Sequence, residues 1–290
     1  KISREKKGDF VRLTYSVSGG LVAVCGVSCL DLGRTLDGGQ AFRWRETNGV
    51  WAGASGAHRL RVWQQGDVYY FDCSLHDFEN IWFSYFDLGR DWDAVCAQIG
   101  QDRRVREAMR EYGGIRILRQ EAFETLFSFI LSQQNNIARI RLILENICRA
   151  CGDDLGGGIY GFPPIERLAQ LTQADLRALG CGFRAKYLAR LCAAQASGEL
   201  HLEEIAALDE EEARRRLMQL YGVGQKVADC TLLFGFGFLN VLPQDVWMKR
   251  VLRLYPNGLP ECFNGYAGAA QQYLFYWARR HLAKGGDRLA

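Results

Sequence analysis

The chain has 290 residues, 48% of them hydrophobic and 24% charged, with a formal net charge of +3. This is the composition of an ordinary soluble globular protein with two domains or one large domain. No uninterrupted apolar run is long enough to span a bilayer, and so small a charge excess does not by itself indicate binding to nucleic acid.

Ten cysteines are scattered along the chain, and no close pair has a second pair at metal-ligand spacing. After Cys230 only Cys262 remains, so a C-terminal motif of four clustered cysteines is absent. We therefore expect reduced, mostly buried thiols in an intracellular protein. No targeting segment is evident after the basic residues 1–10, which favours the cytoplasm or nucleoid of a prokaryote or the nucleus of a eukaryote.

The first part of the chain predicts β-structure. Residues 11–19 place apolar side chains, from Val11 to Val17, at every second position, as in a half-buried strand. Residues 59–63 and 67–73 are rich in strand-forming side chains and flank the turn signal QQGD, which predicts a β-hairpin.

From about residue 77 the pattern becomes helical. Residues 121–133 carry phenylalanine, leucine and isoleucine at helical spacing. Asp175 and Asp209 are predicted N-caps, and a last long helix is predicted over about 265–283.

These patterns predict an α+β protein with two regions. A β-rich N-terminal domain is expected over residues 1–114 and a helical region over 115–290. Within the second region, a helical hairpin is expected at about 214–235.

The segment GVGQKVADC, residues 222–230, has the form of a helix-hairpin-helix turn. A helix is predicted to end at Leu220, and Gly222 and Gly224 allow a tight turn before the next helix. The start of that helix presents free N–H groups that suit a DNA phosphate, although an ordinary glycine-capped turn has the same pattern. Lys226 is unusual here because lysine is normally a surface residue.

Nineteen residues after Lys226, the segment LPQDVWMKR places Asp245 at a predicted helix N-cap. A cap is one explanation of this carboxylate. The other is a buried carboxylate facing the amine of Lys226, because an amine nucleophile must be neutral when it attacks and a nearby base can take its proton.

The hairpin and the PQDVW segment together resemble the helix-hairpin-helix, Gly/Pro-rich, Asp (HhH-GPD) superfamily of DNA glycosylases, and more narrowly its 8-oxoguanine glycosylases that carry a lysine. The similarity covers about residues 30–280. Further blocks that resemble the family, in its order, are GGQAFRWRE (38–46), GIRILRQEAFETLFSFILSQQNNIARI (114–140), GFRAKY (182–187) and AQQYLF (270–275). The β-rich part would then resemble the family's TATA-binding-protein-like domain. The absence of iron–sulfur cysteines fits this branch.

The resemblance implies a bifunctional glycosylase and AP lyase. Lys226 would attack C1′ of a flipped nucleotide, and Asp245 would stabilise the positive charge on the sugar and help to deprotonate the amine. The resulting imine acidifies the 2′ hydrogen, so β-elimination would break the strand 3′ to the lesion.

The resemblance also implies a pocket for the flipped base. The backbone carbonyl of Gly39 would accept from N7–H of 8-oxoguanine, a hydrogen that guanine lacks. Gln271 would read the Watson–Crick edge, while Phe275 and Cys230 would stack on opposite faces of the base. Without the family, core packing is the simpler explanation of Phe275 and Cys230.

On the opposite strand, the resemblance assigns Arg139 and Arg184 to the orphaned cytosine. Gln134 stands where the family usually has Asn, and Phe183 where it usually has Tyr. Both substitutions keep the residue type, an amide that fills the hole and an aromatic wedge.

Phosphate contacts are expected from the hairpin backbone at Gly222, Gly224 and Val227. Trp247 departs from the family, which often has His near a phosphate, because indole has one N–H and no charge. The adjacent MKR (248–250) either compensates for this or is a solvated charge run.

We expect a monomer whose partner is double-stranded DNA containing 8-oxoguanine, with no membrane association. No cofactor or iron–sulfur cluster is expected, although the family's hairpin can hold a metal ion through backbone carbonyls when DNA is bound. Two alternatives stay open. One is a glycosylase for another damaged purine, and the other is a non-enzymatic DNA-binding hairpin, which leaves Lys226 and Asp245 unexplained.

Overall fold

The computed structural model describes residues 2–7 and 12–282, which form an antiparallel sheet and a helical region. None of the helices in these two ranges is long and apolar enough to cross a membrane. The strands are β1 (Ile2–Lys7), β2 (Arg12–Ser18), β3 (Leu21–Cys25), β4 (Trp44–Thr47), β5 (Val50–Ser55), β6 (His58–Gln65) and β7 (Val68–Asp72).

The seven strands form one sheet in the order β1-β2-β3-β7-β6-β5-β4, with every neighbouring pair antiparallel. The hairpin predicted from the QQGD turn is β6–β7, in which Val62 pairs with Phe71. The strand predicted over residues 11–19 is β2, whose Leu13 and Tyr15 are buried. Val11 lies outside the described residues.

The helices before the hairpin connect the sheet to the second half of the chain. They are α1 (Leu32–Leu36), α2 (Leu75–Asp77), α3 (Phe83–Tyr85), α4 (Trp92–Ile99), α5 (Arg103–Tyr112), α6 (Ala122–Leu131), α7 (Ile137–Cys151), α8 (Ile165–Leu168), α9 (Gln173–Ala178), α10 (Ala185–Ser197) and α11 (Leu202–Ala206). A π-helical turn, Phe78–Trp82, joins α2 to α3, and a 3₁₀ turn, Gly182–Arg184, precedes α10.

The hairpin and the C-terminal helices follow. They are α12 (Glu210–Met218), α13 (Gln225–Thr231), α14 (Val246–Leu252) and α15 (Ala267–His281). A π-helical turn, Leu232–Phe236, extends α13, and a 3₁₀ turn, Glu261–Phe263, precedes α15. The predicted α+β class, with an antiparallel sheet followed by a helical region, is confirmed.

The helix ends correct two details of the sequence prediction. Asp209 is the N-cap of α12, as predicted. Asp175 is not an N-cap: Thr172 caps α9, and Asp175 occupies the third helical position, where the two side chains form a reciprocal capping box. The first hairpin helix ends at Met218, two residues before the predicted Leu220.

Buried side chains form two hydrophobic cores, one under the sheet and one within the helices. Helices α4 and α5 pack in the helical core through Trp92 and Val105 among others, although they precede residue 114. Leu118, which follows residue 114, packs in the sheet core. Each core therefore contains residues from both sides of residue 114, where the sequence changes from β-rich to helical.

Two buried polar side chains, Gln40 and Arg116, connect separate segments of backbone at this junction. The Gln40 amide donates to the carbonyls of Thr35 (3.0 Å) and Arg116 (2.7 Å) and accepts from the Leu118 N–H (2.9 Å). The Arg116 guanidinium donates to four backbone carbonyls, those of Ser28, Cys29, Phe86 and Asp87. Burial lowers the pKa of Arg116 to about 10.

Candidate active site

A cavity of about 180 Å³ lies where the residue-39 segment meets α6, α13 and α15. Six residues predicted for catalysis or base recognition line it together: Gly39, Lys226, Cys230, Asp245, Gln271 and Phe275. The other residues that line the cavity are Gly38, Phe42, Phe129, Ser132, Asn135, Ile137, Ile140, Phe234, Pro243 and Gln272.

Lys226 lies in the first turn of α13 and is half-buried. Its ammonium donates to Ser132 Oγ at 2.9 Å and lies 5.2 Å from the centroid of the Phe129 ring. Because the Ser132 hydroxyl donates to the Phe129 carbonyl at 2.7 Å, its oxygen is available to accept from the lysine. Ser132 therefore holds the amine at the cavity wall.

Asp245 satisfies both explanations that the sequence left open. It is the N-cap of α14, where Oδ1 accepts from the Met248 N–H at 2.8 Å. It also lines the same cavity as Lys226. Among the described residues no ion pair joins the two side chains, so the carboxylate is fixed by the helix and not by the amine.

Cys230 is buried in the cavity wall one helical turn after Lys226. Burial, assisted by the nearby Asp229 and Asp245 carboxylates and opposed by Lys226, raises the pKa of the Cys230 thiol to about 12. The thiol is therefore neutral at physiological pH and acts as an apolar surface for a ligand.

Gly39 has a backbone φ of +85°, in the left-handed region that favours glycine. A Cβ built there would lie 3.3 Å from Ile137 Cδ1. The backbone conformation therefore favours glycine, and a Cβ would require the end of the Ile137 side chain to shift by a few tenths of an ångström.

Gln271 and Phe275 lie one turn apart on α15 and so share a helix face. Gln271 is only 5% exposed, and Phe275 is half-buried. A polar amide and an aromatic ring therefore lie side by side on one wall of the cavity.

The hairpin glycines have separate structural roles. Gly222 has φ of +88°, and a Cβ there would overlap the Tyr187 ring. Gly224 is the exposed N-cap of α13. The Val227 N–H already donates to the Gly224 carbonyl at 3.0 Å, so the N–H groups that precede the first internal bond belong to Gln225 and Lys226.

The residues predicted for the opposite strand form a second, more exposed group. Phe183 is 45% exposed, and Gln134 is exposed with φ of +48°. Arg184 is only 4% exposed and donates to the carbonyls of Gln133 and Gln134, while its guanidinium lies 4.4 Å from the centroid of the Phe183 ring. Burial and the nearby Arg139 lower the pKa of Arg184.

Trp247, where the sequence departs from the family pattern, lies on α14 with the Arg250 guanidinium 5.1 Å from the centroid of its ring. Met248 is fully buried, whereas Lys249 and Arg250 are exposed. The MKR segment therefore divides into one core residue and two surface cations beside Trp247.

The chain also matches two family models. "8-Oxoguanine DNA glycosylase, N-terminal domain" matches residues 23–126, and "HhH-GPD superfamily base excision DNA repair protein" matches residues 127–257. The N-glycosylase/DNA lyase OGG1 of Arabidopsis thaliana is 32% identical over 251 residues, covering 79% of this chain and 67% of the relative. The chain belongs to the 8-oxoguanine DNA glycosylase family.

Solved structures of 8-oxoguanine glycosylases have the same fold. MBOgg1 in complex with a low-affinity DNA ligand is 36% identical with a TM-score of 0.88, covering 94% of this chain and 99% of that one. The Clostridium acetobutylicum 8-oxoguanine glycosylase/lyase, in complex with double-stranded DNA containing cytosine opposite 8-oxoguanine, is 34% identical with a TM-score of 0.85. That alignment covers 97% of this chain and 99% of the Clostridium chain.

Two polar residues of this glycosylase were not singled out from its sequence. Ser132 binds the amine of Lys226, and the Gln133 amide donates to the Gly222 carbonyl at 3.0 Å. Because the Gln133 carbonyl also accepts from Arg184, this residue joins the hairpin to the Gln134 loop. Ser132 is the C-cap of α6, and Gln133 begins the polar segment QQNN (133–136) that follows it, where only Gln134 matched a family role.

A buried ion pair also fastens the two helices of the hairpin. Asp229 is buried, and its Oδ1 accepts from Arg214 Nε at 2.7 Å, while Glu210 pairs with the same guanidinium. Within residues 2–7 and 12–282, no group of three or more His, Cys, Asp or Glu side chains is placed to hold a metal ion.

Proposed function

We infer that this chain is a bifunctional DNA glycosylase and AP lyase that excises 8-oxoguanine opposite cytosine from duplex DNA in base excision repair. The observation that carries this function is a single cavity lined by the Lys226 amine, the Asp245 carboxylate and the base-recognition residues. An amine and a carboxylate beside an apolar slot suit attack on a sugar whose base is held in that slot.

The damaged base has to leave the duplex stack to enter the cavity. We assign Phe275 and the neutral thiol of Cys230 to its two faces. Gly39 supplies a carbonyl acceptor for N7–H of 8-oxoguanine, and guanine has only a lone pair at that position. The missing hydrogen bond disfavours guanine by about 1–3 kcal/mol in a buried site.

The chemical step uses the amine of Lys226 in its neutral form. Its nitrogen lone pair forms a bond to C1′, and the bond from C1′ to the base breaks with its electron pair leaving on the base. The sugar carries positive charge in the transition state, which the Asp245 carboxylate stabilises. Asp245 also receives the proton that the ammonium must lose.

The lyase step follows from the bond that Lys226 has formed. Loss of the second amine proton and opening of the sugar give an imine, which acidifies the 2′ hydrogen. Removal of that hydrogen places its electron pair in a new C2′–C3′ double bond, and the 3′ phosphate leaves with the pair from its bond to the sugar. The strand is thereby broken 3′ to the lesion.

The group formed by Gln134, Phe183, Arg139 and Arg184 is proposed to fill the hole in the duplex and to contact the orphaned cytosine. Arg139 is exposed and suits direct donation to the base, whereas Arg184 also holds the Gln134 loop. The Gln225 and Lys226 N–H groups suit a phosphate, and Arg250 supplies a charge beside Trp247.

The expected metal at the hairpin, and action as a monomer, stay proposals. The Leu220 and Gly222 carbonyls each accept one hydrogen bond, from the Val223 N–H and the Gln133 amide, so each oxygen keeps a second lone pair that fits a cation. Such an ion would add positive charge beside a DNA phosphate.

Borohydride trapping tests the proposed function. Incubation with an 8-oxoguanine:C duplex and sodium borohydride should reduce the imine to a stable protein–DNA adduct. Lys226→Gln should abolish the adduct, and the exposed Lys249→Gln should retain it as a matched control. An adduct that survives Lys226→Gln, or excision of 3-methyladenine in preference to 8-oxoguanine, would contradict the assignment.

A further inference from the structure

A row of three aromatic rings connects the wedge to the hairpin. The ring of Phe183 lies 6.2 Å, between centroids, from that of Tyr187 on α10. Tyr187 in turn lies 5.1 Å from Tyr221, which follows α12 in the hairpin turn. The Tyr187 ring also fills the space that a Cβ at Gly222 would need. The row therefore runs from the residue assigned to the opposite strand to the turn assigned to a phosphate.

Two cations of α10 lie over these rings. The Lys186 ammonium is 5.1 Å from the centroid of the Tyr187 ring and 5.8 Å from that of Tyr221. The Arg190 guanidinium is 4.0 Å from the centroid of the Tyr221 ring. Lys186 and Arg190 are four positions apart and share one face of the helix. Because a cation is attracted to the face of an aromatic ring, the tyrosines hold both charges in place.

Neither cation has a carboxylate partner among the described residues, in contrast to Arg214 of the hairpin, which pairs with Asp229. Like charges four positions apart on a helix repel each other, so this arrangement is unfavourable until an anion binds. The surface is also accessible. Arg190 is exposed, Lys186 is half-buried and Tyr221 is 44% exposed. Exposed apolar surface with polar groups at its rim is typical of an interaction site.

Charge and position both favour DNA as the partner of this surface. The phosphates of a duplex carry one negative charge per about 1.7 Å of its axis. A duplex that contacts the wedge residue Phe183 and the hairpin turn at the same time has to pass along the row of rings between them. Lysine, arginine and tyrosine side chains are usual donors to phosphate oxygens, and such contacts set the orientation of a protein on a duplex.

We propose that Lys186 and Arg190, held over the rings of Tyr187 and Tyr221, form a phosphate-binding surface that extends the DNA contact of the hairpin along α10. This inference rests on the proposed function and deepens it, because it adds two backbone contacts to those of the hairpin. Neither cation lines the base cavity, so the surface contributes to binding and orientation of the duplex and not to the chemical step.

The test measures DNA binding separately from excision. The probe is a duplex with a tetrahydrofuran abasic analogue opposite cytosine, which has no base to release and cannot form an imine. The association constant K is measured between about 50 mM and 200 mM salt. Lys186→Gln and Arg190→Gln should each reduce the magnitude of the slope of log K against log salt concentration by about 0.9, and the double variant by about 1.8, because each lost phosphate contact releases one fewer counterion.

Three control variants separate this surface from a general effect of charge. Lys186→Arg and Arg190→Lys keep the cation and should retain the wild-type slope. Arg104→Gln removes a cation that also lies over a tyrosine ring, 4.9 Å from the centroid of Tyr255, but on α5, outside both the hairpin and α10. It too should retain the wild-type slope. Each slope is measured within one protein, so a fraction of unfolded molecules does not alter it.

A wild-type slope in the Lys186→Gln, Arg190→Gln double variant would overturn the proposal, and the surface would then be free or bind a protein. An equal loss of slope in Arg104→Gln would also overturn it, because net charge alone would explain the result. Failure of the wild-type chain to excise 8-oxoguanine would instead contradict the proposed function. The binding assay involves no excision, so the two failures are distinguishable.

Discussion

The base cavity and the opposite-strand surface are built in contrasting ways. The cavity residues are buried or half-buried and come from separate parts of the chain, from Gly39 to Phe275. The opposite-strand residues lie close in sequence to α7 and α10, and Phe183, Gln134 and Arg139 are exposed. Only Arg184 in that group is buried, where it holds backbone carbonyls.

The contrast indicates that the two regions have different functions. A cavity that is formed before the base enters can distinguish the damaged base from other bases, because a wrong base does not form all of the hydrogen bonds that the cavity offers. Exposed side chains have no fixed partner to lose and can adapt to the distorted duplex when DNA binds. Substitutions in the cavity should therefore change the chemistry, and those on the surface should change the choice of opposite base.

The largest effect is expected from Asp245→Asn. Asparagine is also a good N-cap, so α14 and the stability of the fold should be maintained. Loss of the carboxylate charge should lower the excision rate at saturating substrate by about 10²-fold to 10³-fold, as for other residues that stabilise transition-state charge. Single-turnover kinetics with an 8-oxoguanine:C duplex measures this.

A matched control for Asp245→Asn is Asp209→Asn, at the N-cap of α12 and outside the cavity. It should excise at the wild-type rate. If Asp245→Asn also retained the wild-type rate, Asp245 would be a cap alone.

A smaller effect is expected from Arg139→Ala on the exposed surface. Loss of its donors should cost about 1–3 kcal/mol of discrimination for cytosine over the other opposite bases, with excision opposite adenine nearly unchanged. Arg149→Ala, an exposed arginine at the other end of α7, is the control and should leave the preference intact. Competition between duplexes with 8-oxoguanine opposite each of the four bases measures the ratio, and an unaltered ratio in Arg139→Ala would remove this residue from opposite-base recognition.

The smallest effect concerns the buried wall of the cavity and appears in stability. The folded-state pKa of Cys230 is raised to about 12 from an ordinary value of 9.0. Above pH 9 the unfolded chain loses this thiol proton while the folded chain keeps it. The stabilisation is complete below pH 9 and is lost as the pH rises toward 12, at about 1.4 kcal/mol per pH unit.

Urea unfolding of the wild type and of Cys230→Ala at pH 8, 9 and 10 measures this loss. The variant should show a shallower fall in the free energy of unfolding above pH 9. Parallel slopes in the two proteins would mean that Cys230 ionises in the folded state as readily as in the unfolded chain.

The sequence predicted those parts of the site whose geometry is local. Asp209 and Asp245 are N-caps as predicted, because capping depends on a few adjacent residues. Local sequence patterns predict a helix N-cap less reliably where two nearby residues can both serve as the cap. Asp175 is an acceptable cap, but Thr172, three residues earlier, forms a capping box with it and starts the helix sooner.

The residues that sequence reasoning missed make their contacts over long separations. Ser132 meets Lys226 across 94 positions, and Gln133 meets Gly222 across 89. Serine and glutamine in a polar break look like ordinary loop residues, because no spacing rule links them to a distant hairpin.

The sequence by itself determined the family, the α+β order of elements and the lysine–aspartate pair, because these are written in local motifs and in the order of blocks along the chain. Only the tertiary structure decided which atoms share the cavity. Helices α4 and α5 join the helical core despite their position before residue 114, and Ser132 binds the amine of Lys226 although 94 positions separate them. The burial of a side chain and its hydrogen-bond partners depend on how distant segments pack, and local sequence patterns do not reveal that packing.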